Sequence, residues 1–94
     1  MRDLEERTLE FAIRVRKFIS VIPKNIGVYE DGKQVVRSSG SIGANYIEAG
    51  ENLGQKDLSF RMKIARKEAT ETVYWLKVIK GSNTLSDDLT HEVE

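Results

Sequence analysis

Between Leu58 and Ile79 the residues Leu58, Met62, Ala65, Ala69, Thr72, Leu76 and Ile79 recur at alternating steps of four and three. Only an α-helix gathers such positions into one stripe; a strand would gather alternate residues instead. Sustained over about three heptads, the pattern is the seam of a helix bundle. Phe60, Ile64, Trp75 and Val78 form a second apolar flank on the same segment. A helix with two apolar flanks needs more than one neighbour, so the rest of the chain must supply helices to cover it.

It reads that way. Leu4, Phe11, Val15, Phe18 and Ile22 are helically spaced, with one double step through Thr8, and Ala12 and Ile19 widen the stripe. Asp3 is placed to cap this first helix, with Glu6 closing a capping box. Pro23 is the only proline; it stops the helix by pushing Ile22 away from helical angles. Residues 23–31 are expected to be a connection, helical from about Tyr29 at the earliest. A second helix then runs to about Gly50, with Val35, Val36, Ile42, Ile47 and Ala49 as its apolar contacts. Its centre, Ser38-Ser39-Gly40-Ser41-Ile42-Gly43-Ala44, is unusual. A glycine inside a helix costs roughly 1 kcal/mol relative to alanine. Either the small residues let another helix come close, or one of the glycines breaks the helix. Residues 51–56 are a short turn of the kind that joins antiparallel neighbours. Helix three spans about Gln55 to Lys80, with Gly81 as a stop signal. Leu85, Leu89 and Val93 then give a short fourth helix, with Thr84 or Ser86 as its cap. The expected fold is therefore a single all-α domain over residues 1–94, an antiparallel up-down four-helix bundle with a short fourth helix.

Several function classes drop out. With no cysteine there is no disulfide and no thiolate site. The one histidine, His91, lies in the tail, and the serines have no base beside them, so side-chain nucleophilic catalysis is not expected. Carboxylate-bridged metal bundles use Glu-x-x-His pairs, and no histidine follows Glu48, Glu68 or Glu71 at that spacing. Gly40-Ser41-Ile42-Gly43 lacks the lysine and the preceding strand of a phosphate-binding loop. No apolar run reaches the ~20 residues of a membrane span. The N-terminus is acidic and mixed, unlike a signal peptide, which makes the cytoplasm the expected location. No catalytic residue, metal or cofactor is expected.

Charge is informative because it is unevenly spread. Fifteen basic and fifteen acidic side chains cancel overall, yet residues 55–81 hold seven basic and three acidic ones, and residues 82–94 hold four acidic and no basic ones. Within helix three, Lys63, Arg66 and Lys67 lie at i, i+3 and i+4 and form a coherent outward patch, a candidate for nucleic-acid phosphates. Its bland counterpart is a solvated helix face. On helix two, Arg37, Ser41, Asn45 and Glu48 share another face. If helices two and three are antiparallel about the turn near residue 53, Arg37 sits level with Glu68 and Glu71, and Glu48 with Leu58 or Arg61. A structural polar network of Arg37, Ser41, Asn45, Glu48, Glu68 and Glu71 is expected.

The segments Arg37-Ser38-Ser39-Gly40-Ser41-Ile42-Gly43-Ala44-Asn45-Tyr46-Ile47-Glu48-Ala49 and Lys67-Glu68-Ala69-Thr70-Glu71-Thr72-Val73-Tyr74-Trp75-Leu76 are not generic bundle sequence. They resemble the two signature segments of the bacterial four-helix-bundle family, also called the ribosomal-RNA intervening-sequence protein family. The resemblance covers residues 3 to about 81. It implies an up-down four-helix bundle and a ring-like homopentamer. It also implies a relation to the accessory proteins of diversity-generating retroelements, which bind nucleic acid and a reverse transcriptase through basic surfaces. One departure is that the fourth helix here reads as short and acidic. The expected function is a non-enzymatic homo-oligomeric bundle that binds RNA, DNA or a ribonucleoprotein without sequence readout, with a reverse transcriptase as a partner in a retroelement setting. The alternative is a structural or protein-binding bundle with no nucleic-acid role.

Overall fold

The computed structural model describes residues 4–51, 54–83 and 91–93. They form three long helices, α1 (Leu4–Val21), α2 (Ile26–Gly50) and α3 (Gln55–Ser82), and a short fourth helical element at 91–93. The chain is an all-α bundle. The proposed caps Asp3, Thr84 and Ser86, and most of the expected fourth helix, lie outside the described residues.

Helix ends follow local chemistry. Pro23 ends α1, and Lys24 Nζ donates to the carbonyls of Ile19 (2.5 Å) and Ile22 (2.6 Å) that the helix leaves open. α2 starts at Ile26, earlier than the sequence suggests, because Asn25 is its N-cap: Val28 N–H donates to Asn25 Oδ1 at 2.8 Å. α3 passes through Gly81 instead of stopping there. The Ser82 hydroxyl donates to Val78 O at 2.6 Å and Asn83 Nδ2 donates to Ile79 O at 2.9 Å, which ties the last turn. Asn25 Nδ2 also donates to Asn83 Oδ1 at 2.8 Å, joining the start of α2 to the end of α3.

α2 is the central helix and runs unbroken through Gly40 and Gly43. It packs along α3 on one side and α1 on the other, antiparallel to both. The α1 contact depends on missing side chains. A Cβ at Gly32 would meet Ile19 Cγ2 at 3.3 Å, one at Gly40 would meet Arg16 Nη2 at 3.2 Å, and one at Gly43 would meet Thr8 Oγ1 at 2.9 Å. Gly40 gives the Arg16 guanidinium room to reach Val36 O (3.4 Å).

The core sits at the Pro23 end. Val15, Phe18, Ile22, Val28, Val35 and Ile79 are buried together, with Ile19, Trp75, Leu76 and Val93 packed against them. Towards the other end, packing between α1 and α3 opens. Leu4, Phe11 and Met62, which the periodicity assigns to the core stripes, are exposed there. The molecule measures 46 × 27 × 17 Å, a flat arrangement of helices on either side of α2 that leaves a trough between α1 and α3. Among the described residues, no helix is long and apolar enough to cross a membrane.

Candidate functional site

Antiparallel packing of α2 on α3 brings polar side chains together in two clusters and a buried pair. In the first cluster, Arg37 reaches across the interface. Its Nη1 lies 3.1 Å from Glu68 Oε2 and its Nη2 lies 2.9 Å from Glu71 Oε1. The Glu68 side chain is 9% exposed and that of Arg37 49% exposed, so the guanidinium covers a carboxylate that water barely reaches. Its Nε also donates to Gln34 Oε1 at 3.4 Å.

One turn along, Ser38 and Thr72 are fully buried and their hydroxyls lie 2.7 Å apart. Thr72 donates to Glu68 O at 2.8 Å, which leaves Ser38 to donate to Thr72. This pair was not singled out by charge or spacing. Its sequence signal is a serine and a threonine facing each other at seam positions, where aliphatic residues are usual.

The second cluster centres on Arg61. It pairs with Glu48 Oε2 (2.8 Å), lies near Asp57 Oδ1 (3.8 Å), and donates to Asn45 Oδ1 (3.4 Å). Asn45 Nδ2 in turn donates to Ser41 O and Ser41 Oγ, both at 3.0 Å. Arg37, Glu68 and Glu71 thus meet in one place, and Ser41, Asn45 and Glu48 in another. Each of the three glutamates has a guanidinium partner, so none stands as a free base. Among the described residues no group of three histidines or carboxylates is placed to hold a metal ion, and no buried side-chain polar atom lacks a hydrogen bond.

This pairing shapes the outer surface of α3. Its acids Asp57, Glu68 and Glu71 all turn towards Arg61 or Arg37. Lys56, Lys63, Arg66, Lys67 and Lys77 are exposed. None of these five has an ion-pair partner among the described residues. At 1.5 Å rise per residue they extend over about 32 Å of helix. Lys63 and Arg66 stand at the edge of the α1–α3 trough, and Lys67 points further outward. Tyr74, 58% exposed, lies on the same outer face, its ring held edge-on against Trp75 with centroids 5.1 Å apart.

A further contact ties the end of the chain to α1. Arg14 Nε and Nη2 bond Glu92 Oε1 and Oε2 at 2.6 and 3.0 Å. The hydrogen bond from Arg14 holds the Glu92 carboxyl below the usual carboxylate range, and the charges of Arg14 and His91 act in the same direction.

The family model described as "23S rRNA-intervening sequence protein" matches residues 3–94. Among curated proteins none matches the chain. Among solved structures, the chain is similar to a protein of unknown function from the S23 ribosomal protein family of Bacteroides thetaiotaomicron VPI-5482. The two are 30% identical with a TM-score of 0.78, and the match covers 97% of this chain and 84% of the other. The chain belongs to the 23S rRNA-intervening sequence protein family.

Proposed function

We propose that this family member is a non-enzymatic, homo-oligomeric bundle that binds RNA or DNA, alone or within a ribonucleoprotein, through Lys63, Arg66 and Lys67, without reading sequence. The observation that carries the proposal is the outer face of α3, where five cations stand exposed while the helix's own acids are turned inward onto arginines. Cations arranged along a groove or helix bind phosphates chiefly by releasing counterions. Contacts from lysine and arginine to phosphates fix position and carry no sequence information. The family description, which names a ribosomal RNA and no catalytic activity, supports the same reading.

Self-association belongs to the proposal. Leu9, Ile13 and Ile47 are exposed large apolar residues beside the α1–α2 contact, and they line one recess with Gly40, Gly43 and Ala44. A second copy seated there, within a pentameric ring by family resemblance, would repeat the basic face around the ring. Repetition raises total affinity well above that of one patch.

A gel-shift series with RNA and DNA tests this. Binding at low salt is expected to fall steeply towards physiological salt. Alanine at Lys63, Arg66 and Lys67 together is expected to abolish it while light scattering shows the oligomer intact. Binding that survives the triple variant would move the site. No binding at low salt would leave the structural or protein-binding alternative.

A further inference from the structure

The outward side of α3 carries a stripe as regular as its inner seam. Lys56, Phe60, Lys63, Lys67, Tyr74 and Lys77 are spaced by fours, threes and one double step through Thr70. Each stands two residues before a seam position, about 200° round the helix. All are exposed, and none is acidic. A solvated helix face ordinarily mixes both signs, with pairs one turn apart. The outer side of α1 does so, with Glu6, Arg7, Glu10, Arg14 and Lys17 all exposed. The α3 stripe instead sets two aromatic rings among four lysines.

The rings are open to water and held in place. Phe60 and Tyr74 are 57% and 58% exposed. The Arg61 guanidinium lies over the Phe60 ring, 5.8 Å from its centroid, and Arg61 is itself held by Glu48 at 2.8 Å. Tyr74 meets Trp75 nearly at right angles, with 75° between the planes, and Trp75 packs against the core. Each ring is thus steadied by one neighbour. A side chain already placed loses little freedom when something stacks on it. Isolated exposed apolar side chains are ordinary. Two rings on one lysine stripe, about 21 Å apart along the helix, with Lys63 and Lys67 between them, make a platform. The lysines account for attraction to phosphates but give the rings no role. In a duplex the base faces are stacked on one another, so the rings find nothing to stack on. An unpaired strand offers phosphates and base faces together.

We infer that the outer stripe of α3 binds single-stranded nucleic acid, with one base stacked on Phe60, another on Tyr74, and the phosphates between them on Lys63 and Lys67. The inference rests on the phosphate-binding reading above and adds to it the form of the ligand, an unpaired strand. Every base has a face that can stack, so the platform tolerates any sequence.

The test measures fluorescence anisotropy of the full chain with three fluorescein-labelled probes: a mixed-sequence single strand, the same strand paired with its complement, and an abasic strand of equal length. The first two are run as RNA and as DNA. The single strand is expected to bind at least about tenfold more tightly than the abasic strand, and more tightly than the duplex in spite of the duplex's denser charge. Phe60→Ala and Tyr74→Ala are each expected to weaken the single strand about tenfold, to leave the duplex unchanged, and to keep the salt dependence of the parent. Lys67→Ala is expected to weaken all three probes and to make binding less sensitive to salt. Phe60→Tyr and Tyr74→Phe keep a ring and should bind as the parent does. All these positions are exposed, and circular dichroism checks that each variant keeps its helix content. The abasic comparison needs no variant at all. Intact and abasic strands binding equally, a duplex binding as tightly as the single strand, or alanine variants of both rings binding as the parent does would each overturn the stacking inference and leave the phosphate-binding reading in place. No binding of any probe at low salt would overturn both.

Discussion

A methyl group at Gly43 would test how closely α1 and α2 are held. The added Cβ of Gly43→Ala would lie 2.9 Å from Thr8 Oγ1 and 3.2 Å from Thr8 Cβ. The Thr8 hydroxyl already donates to Glu5 O at 3.0 Å, so it has a bond to lose on turning away. The Cβ of Thr8 is fixed to the α1 backbone and moves only if that helix moves. Overpacking of this kind costs about 1–3 kcal/mol, against about 1 kcal/mol gained by removing a helix-interior glycine. The balance is a destabilisation of about 1 kcal/mol, or a Tm lower by about 4–8 °C in a domain this size. Gly40→Ala is the control. Its Cβ meets only the Arg16 guanidinium, the nearest atom at 3.2 Å, and that end of a long side chain can swing away. Gly40→Ala is therefore expected to match or exceed the parent in thermal melts. Thr8→Ala removes the 2.9 Å contact and is expected to recover part of the loss in the double variant, a coupling that a mutant cycle measures. If Gly43→Ala melts no lower than Gly40→Ala, α1 is not held against α2 as closely as described, and the reasoning fails.

Three further outcomes follow from other contacts. Arg37→Ala is expected to cost about 1–3 kcal/mol by denaturant titration, because it strips the partner from a nearly buried Glu68. Arg61→Ala, whose partner Glu48 is 55% exposed, should cost less than about 1 kcal/mol, and the reverse order would refute the assignment. Gly81→Ala adds a methyl with nothing within 4 Å, in a helix that continues past it, and is expected to raise stability by about 1 kcal/mol in the same assay. Glu92 has its carboxyl pKa lowered by Arg14, so its contribution to docking residues 91–93 is fully present above the ordinary glutamate value and is lost as pH falls through the lowered one. The Val93 methyl signals should shift across that acidic window in NMR, and Arg14→Ala should bring the change up to the ordinary glutamate range.

Much of the fold was legible because helical periodicity acts over long distances in this chain. The four-three stripe of α3 identifies its inner side, and one assumption, an antiparallel turn near residue 53, places Arg37 level with Glu68. The misreadings are local. The start of α2 is signalled by Asn25, an asparagine immediately before the apolar Ile26, and that signal places the helix start ahead of Tyr29. Gly81 carries a stop signal, but a glycine ends a helix only where the chain turns left-handed, and here side chains of Ser82 and Asn83 tie the last turn instead. Exposure at Leu4, Phe11 and Met62 could not be read from spacing. Periodicity gives the face of a helix, while burial depends on whether another helix arrives to cover it.

The candidate site illustrates the same division between what a pattern states and what packing adds. From the sequence, α3 is merely a basic helix with three acids on it. In the fold, Arg37 and Arg61 draw those acids inward or to the flank, and the outer face keeps cations without counter-charge. Two helix-two residues therefore matter to a surface they do not line. Arg37 attracts two carboxylates, Glu68 and Glu71, and Glu48 pairs with Arg61 on the α2 side of α3. Such burial of one sign raises the local positive potential while the chain as a whole stays neutral. The zero net charge therefore does not weigh against a phosphate-binding face. Glu68 and Glu71 lie beneath that face, paired with Arg37 of α2, and Glu92 pairs with Arg14 of α1.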